Sequence, residues 1–484
     1  MFLTAGAVLV LEILSLRLIA PYVGLTLETS TAVIGTALAA IALGAWAGGL
    51  AADRYDAARL IGPVLLAAGV LVLLVLPVVR WSGEIYGGTS TTATLVLPMA
   101  AVFLPAALLS MVSPMVVKVR LASLDRTGAV VGQLSGIGTM GALVATFATG
   151  FVLVAKVPVS VTLLLLGGMV LVLGVASTLG LWRERTALAP VAATSVAALV
   201  AGGMMVTAPQ PCDVETAYHC VRVSSDVTRA SGRTLYLDTL ANSYVDLDDP
   251  TYLRFRYARA LAAAVDAQFP AQEPLRATHI GGGGATMPRW LAATRPGSTS
   301  TVLEIDPGVV AVSTQELGLT DGGGIDVQVT DGRSGLAATA TDSMDLLVGD
   351  AFSGYAVPWH LTTQEALVDV RRVLAADGIY ALNVIDYPPA GFARAEIATV
   401  ASVFDHVALT TYPEALADGV GANFLVLASA EPLPVTAWRD AVRRVVPEWT
   451  VIDGAELAEF VGDAVVLTDD FAPVDQLLTV RPNG

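Results

Sequence analysis

Four segments in the second half of this 484-residue chain each close an apolar run on residue types suited to ligand chemistry. ATHI is followed by Gly281, Gly282, Gly283 and Gly284, STVLE ends on Glu304, IDVQVT leads to Asp331 and Gly332, and MDLLVG leads to Asp350. Glycines let backbone N–H groups approach a ligand closely. These are not the phosphate-cradling GxxxxGK[ST], which needs a following Lys. Glu304 lies 23 residues after Gly281, the distance at which an acid receives ribose hydroxyls in nucleoside-binding sheets. An acid at Asp331 can accept from an adenine amino group. Each position also has a plainer use: a bare turn for the glycines, a helix cap for Glu304 or Asp350.

The elements that must position these residues are legible in the same stretch. ATHIG, STVLEID, IDVQVT, MDLLVGD and GIYALNVID read as strands separated by helical stretches, which predicts a parallel sheet covered on both faces. In such a Rossmann-like α/β domain ligands bind beyond the carboxyl ends of the strands, where these residues gather. Upstream, VRVSSD, RTLYLD and NSYVDLDD read as a small β-unit, and Pro250 to Phe269 as an amphipathic helix. The expected organisation is a helical bundle over 1–210, a β-unit over 211–250 and the α/β domain over 251–484.

GGGGATMPRW, LEIDPGVV, TDGRSGL and MDLLVGDAFSGYAVPWHLTTQEAL, in this order and spacing, resemble the spermidine synthase family of aminopropyltransferases. The resemblance covers about Arg233 to Ala428. LEILSLRLIAPYVG, LGAWAGGLAADRYD and LTDDFAPVDQL resemble bacterial proteins in which a transporter-like helical segment is fused to such a domain. The resemblance implies that Gly281, Gly282, Gly283 and Glu304 hold the nucleoside of decarboxylated S-adenosylmethionine as co-substrate, with no tightly bound cofactor and no metal. Asp331 and Gly332 would contact adenine, and Asp350 would take the proton of the attacking amine, since a protonated amine is no nucleophile.

Two acids of the family pattern are absent. Gly284 stands where an Asp grips the aminopropyl amine, and Ser353 where a second acid holds the acceptor. Each lost charge-assisted hydrogen bond is worth about 1.5–3 kcal/mol, so the pair lowers polyamine affinity by roughly a few hundredfold or more. Tyr252, Ser353, Tyr355 and His360 remain as acceptor-pocket candidates, with simple packing the alternative for His360.

The first 210 residues carry seven apolar runs near the 20-residue length of a membrane span: Phe2 to Val23, Thr31 to Ala51, Leu60 to Val79, Thr92 to Val117, Ala129 to Val154, Val159 to Trp182 and Leu188 to Ala208. Gly44 and Gly48, then Gly128, Gly132 and Gly136 toward Gly141, have the spacing that brings helices close. Glu12 and Arg17 project apart on one helix, so each needs another partner or a transport role. Loops after the even-numbered runs carry Arg54, Arg59, Lys118, Arg120, Arg126, Arg183 and Arg185, whereas the others carry only Arg80 and Lys156. By the positive-inside rule this predicts a multi-pass cell-membrane protein whose soluble domain is extracytoplasmic. Cys212 and Cys220, the two cysteines of the chain, suit a disulfide in an oxidising compartment. Two unrelated thiols are the alternative.

Residues 1–210 carry 10 Lys+Arg against 7 Asp+Glu, and the remainder 17 Arg against 36 Asp+Glu, so the second half is strongly acidic. That charge repels phosphate backbones and excludes nucleic acid as the natural partner. The expected partners are a small nucleoside, an amine and the lipid bilayer, with a homo-oligomer left open. Two functions are therefore weighed: a membrane-anchored transferase, or a non-catalytic nucleoside-sensing domain coupled to the helices. Glu304, Asp331 and Asp350 in order on one sheet edge make the transferase the leading reading. The lost acids and the external placement motivate the alternative, because sulfonium nucleosides are made in the cytosol.

Overall fold

The computed structural model describes residues 1–24, 27–86, 91–121, 127–181, 188–320, 322–352, 354 and 356–479. The chain divides into two units, Met1–Cys220 and Val221–Gly484.

Among the described residues of the first unit, six helices are long and apolar enough to cross a membrane: Phe2–Val23, Leu27–Arg54, Ala57–Tyr86, Thr92–Arg120, Thr127–Leu153 and Val159–Leu181. The seventh apolar run forms the helix Leu188–Thr207, whose described apolar part, Val191–Thr207, is shorter than the other six. A Cβ on Gly44 would lie 2.2 Å from the Ala107 carbonyl oxygen and one on Gly48 2.5 Å from that of Met111, so these glycines let two helices meet backbone to backbone. Gly141 serves the same purpose against Phe2. Gly128, Gly132 and Gly136 instead face open space, so only part of the small-residue pattern packs the bundle.

Arg17 and Arg80 of this unit find polar partners on other segments. Arg17 donates to the carbonyls of Val154 at 3.3 Å and Thr216 at 2.5 Å. Buried Arg80 pairs with Glu215 at 3.2 Å, and the Ser160 N–H donates to the same carboxylate at 3.4 Å. Glu215 lies in a two-residue strand, β1 (Val214–Glu215), inside the loop that a Cys212–Cys220 disulfide closes with a Cα–Cα distance of 5.2 Å.

The second unit begins with an antiparallel meander of β2 (Cys220–Ser225), β3 (Gly232–Leu237) and β4 (Leu240–Asp246). Asp246 Oδ1 then accepts from the N–H groups of Asp248 and Asp249, and Asp249 Oδ1 from that of Thr251. These side-chain turns compete with helical backbone bonds. The helix therefore spans Arg256–Gln268 rather than starting at Pro250.

The main sheet contains β5 (Arg276–Ile280), β6 (Thr299–Glu304), β7 (Ile325–Val329), β8 (Met344–Gly349), β9 (Leu374–Asp386), β10 (His406–Thr411), β11 (Ala422–Ser429) and β12 (Thr450–Asp453). Its order is β12-β10-β11-β9-β8-β5-β6-β7. Strands β5 to β9 are parallel, as their continuous apolar runs predict. The sheet is nevertheless mixed, because β10, β11 and β12 add in antiparallel fashion beyond β9. A short buried run such as ANFLVLAS has no periodicity to separate strand from buried helix, so the sequence pattern alone missed this extension.

Candidate functional site

The parallel order brings the ends of β7, β6, β5 and β8 side by side, and with them Asp331, Glu304, Gly281 and Asp350. Gly281 leaves β5 with φ +95°, and a Cβ there would lie 2.5 Å from the Asp350 carbonyl oxygen. Only glycine tolerates both demands. The turn then directs the N–H groups of Gly282 and Gly283 at Glu304 Oε2, at 2.8 and 3.3 Å, while the Asp306 N–H donates to Oε1 at 2.9 Å. Glu304, 8% exposed, is thus fixed by three backbone donors at the carboxyl end of β6. Asp306 itself caps the helix Pro307–Glu316 by accepting from the Gly308 N–H.

Asp331 divides its carboxylate. Oδ1 accepts from the Ser334 N–H at 2.9 Å, capping the helix that Gly332 begins, and Oδ2 lies 2.9 Å from His360 Nε2. Burial pushes this carboxyl up, but the Ser334 and His360 hydrogen bonds outweigh it and leave the group below its ordinary range. Next to it, Arg333 forms a two-pronged pair with Asp469 at 2.7 and 2.6 Å, and Thr363 donates to the same acid. The segment LTDDF near the C-terminus is thereby tied to this edge.

Asp350 lines a cavity of about 420 Å³. Register places Gly349 of β8 opposite Leu382 of β9, which sets Asp350 beside Asn383. Asn383 donates to Asp350 Oδ1 at 2.8 Å and accepts from Asn423 of β11 at 3.0 Å. On the other side the Tyr257 hydroxyl, from the first turn of the helix Arg256–Gln268, donates to Oδ2 at 2.9 Å. Burial raises the Asp350 carboxyl to about 6, with the Asn383 and Tyr257 hydrogen bonds pulling partly back. A carboxylate of that basicity is ionised at neutral pH yet takes a proton more readily than an ordinary one.

No family model matches the chain. Curated proteins named polyamine aminopropyltransferase are similar to its second half. That of Chromobacterium violaceum is 28% identical over 31% of this chain and 57% of its own length. That of Neisseria meningitidis is 29% identical over the same shares, and that of Vibrio vulnificus 30% identical over 27% of this chain and 44% of its own. The chain therefore spans about half the length of the curated relatives it matches. Among solved structures, a probable spermidine synthase from Corynebacterium glutamicum aligns at 25% identity over 52% of this chain and 94% of that one, with a TM-score of 0.49.

Two of the four residues expected to line an acceptor pocket lie away from the Asp350 cavity. Tyr252 packs edge-on against Tyr244 under the Arg229 guanidinium, and His360 is engaged by Asp331; neither lines the Asp350 cavity. Ser353 and Tyr355 lie outside the described residues. Tyr257, Asn383 and Asn423 line the cavity instead, and none was singled out in the sequence. The one available signal was Asn383 itself, a polar residue within the apolar run GIYALNVID. Position 284 faces a wall: a Cβ on Gly284 would lie 3.0 Å from Val245 Cγ1 and 3.2 Å from Ser243 Cβ.

Proposed function

We propose that the C-terminal unit transfers an aminopropyl or closely related group from a sulfonium nucleoside, of the decarboxylated S-adenosylmethionine class, to an amine. The observation that carries the reading is the carboxylate of Asp350, held by Tyr257 and Asn383 in the lining of a cavity one strand from the Gly281–Glu304 turn. In the transfer the amine nitrogen bonds to the sulfonium-bound methylene, and the C–S bond breaks with its electron pair staying on sulfur. The proton shed by the nitrogen goes to Asp350. Glu304 receives the ribose hydroxyls, exchanging some of its backbone donors for the ligand, and Asp331 and Gly332 border the adenine. The similarity to polyamine aminopropyltransferases supports the same chemistry.

In this reading the N-terminal helices anchor the protein in the cell membrane, and the loop charges and the Cys212–Cys220 disulfide favour an extracytoplasmic C-terminal unit. A sensing role is the second reading, favoured by Gly284 and by the backbone donors that already occupy Glu304. Purified full-length protein incubated with decarboxylated S-adenosylmethionine and a panel of primary amines separates the two. Stoichiometric release of methylthioadenosine and a secondary amine supports transfer. Binding of methylthioadenosine without turnover of any amine supports sensing.

A further inference from the structure

Resting on the transfer reading of this cavity, we propose that its acceptor is a primary amine carrying an anionic tail, of the amino-carboxylate class, rather than a diamine or polyamine. A diamine brings two ammonium groups, and the second needs an acid at the far end of the cavity. Among the described residues lining it, Asp350 is the one carboxylate. The charged side chains on the remaining wall are Arg254 and Arg256. Their counter-ions stand outside: Arg254 pairs with Asp226 and Arg256 with Glu448, and neither acid lines the cavity. Asp226 and Glu448 therefore hold the two guanidinium groups in place without presenting negative charge to a ligand. Arg256 also lies 6.0 Å from the ring of Tyr412, which borders the same space and gives the intervening methylenes an apolar surface.

The geometry orients such a substrate. Its amino end meets Asp350, where the proton must leave, and its carboxylate meets donors suited to paired N–H···O bonds. A distal ammonium in the same place would face two guanidinium groups, and like charges disfavour binding. The position of the family's missing acid offers no relief, because Gly284 abuts Val245 and Ser243.

The test compares 4-aminobutanoate, 1-aminobutane and 1,4-diaminobutane as acceptors for the full-length protein, with decarboxylated S-adenosylmethionine as donor and methylthioadenosine release as the readout. The expected result is a kcat/KM at least tenfold higher for 4-aminobutanoate than for 1,4-diaminobutane. In Arg256→Gln the KM for 4-aminobutanoate should rise at least fivefold, and in Arg256→Lys by less. Equal or better use of 1,4-diaminobutane overturns the proposal. Absence of release with every amine removes the transfer reading instead, and the acceptor class is then decided by binding. Thermal stabilisation of the methylthioadenosine-saturated protein by 4-aminobutanoate and not by 1,4-diaminobutane supports the proposal. The reverse, or no stabilisation by either, overturns it.

Discussion

The Tyr257 hydroxyl donates to Asp350 Oδ2 at 2.9 Å, joining the first turn of one helix to the end of a strand 93 residues later. The same carboxylate accepts from Asn383 on its other oxygen. Burial raises the pKa of this carboxyl and the two neutral donors pull it partly back, to about 6, so Asp350 stays ionised near neutral pH.

Tyr257→Phe removes one of these donors. A lost hydrogen bond of about 1.5 kcal/mol to the charged form makes the ratio of ionised to protonated carboxyl roughly tenfold smaller. The acidic limb of the kcat/KM profile, expected near pH 6 in the wild type, should move to higher pH in this variant. An unmoved limb would show that the limb belongs to another group.

Asp350→Asn should lose activity and gain stability. The folded carboxyl titrates at about 6 against an ordinary 3.8, so between those values the folded state binds more protons than the unfolded one. Stability contributed by this group therefore falls as pH rises through that window, to a penalty of about 3 kcal/mol at most above it. Thermal or denaturant unfolding should show the Asn variant more stable at pH 7.5, with the difference vanishing near pH 4. A variant less stable than wild type at pH 7.5 would mean that the rearranged hydrogen bonds cost more than the buried charge.

Glu304→Gln keeps the shape of a side chain fixed by the N–H groups of Gly282, Gly283 and Asp306 but removes its charge. Charge-assisted bonds to ribose hydroxyls of about 1.5–3 kcal/mol translate to roughly 10- to 150-fold weaker binding. Calorimetry with methylthioadenosine measures this directly, and unchanged affinity would place the nucleoside elsewhere.

The compartment faced by the second unit is read from Cys212 and Cys220. In intact cells a membrane-impermeant maleimide should label them after treatment with an impermeant reductant and not before. Labelling only after the membrane is opened would put the site on the cytoplasmic side.

How much of this was legible in the sequence depends on the distance over which each feature is built. The Gly281–Glu304 relationship is local to one strand–helix–strand unit, and the spacing alone pointed to it. The apolar helices were equally plain, because span length follows from composition. The cluster around Asp350 was not, since Tyr257, Asn383 and Asn423 come from a helix and two strands whose antiparallel pairing has no sequence signature. Tyr252 and His360 were reasonable by type, yet Tyr244 with Arg229 and Asp331 claim them first. The partners of Arg17 and Arg80 were also out of reach, because they lie 137 and 135 residues away.

In the proposed reaction Asp350 accepts the proton of an attacking amine. Methylthioadenosine formation by the full-length protein under single-turnover conditions, in wild type and Asp350→Asn at matched methylthioadenosine affinity, tests it most directly. The account predicts turnover in the wild type and a rate lower by about 10²–10⁴ in the variant, the contribution usual for a positioned base. Equal rates in the two proteins, or no methylthioadenosine from the wild type with any amine, would contradict it.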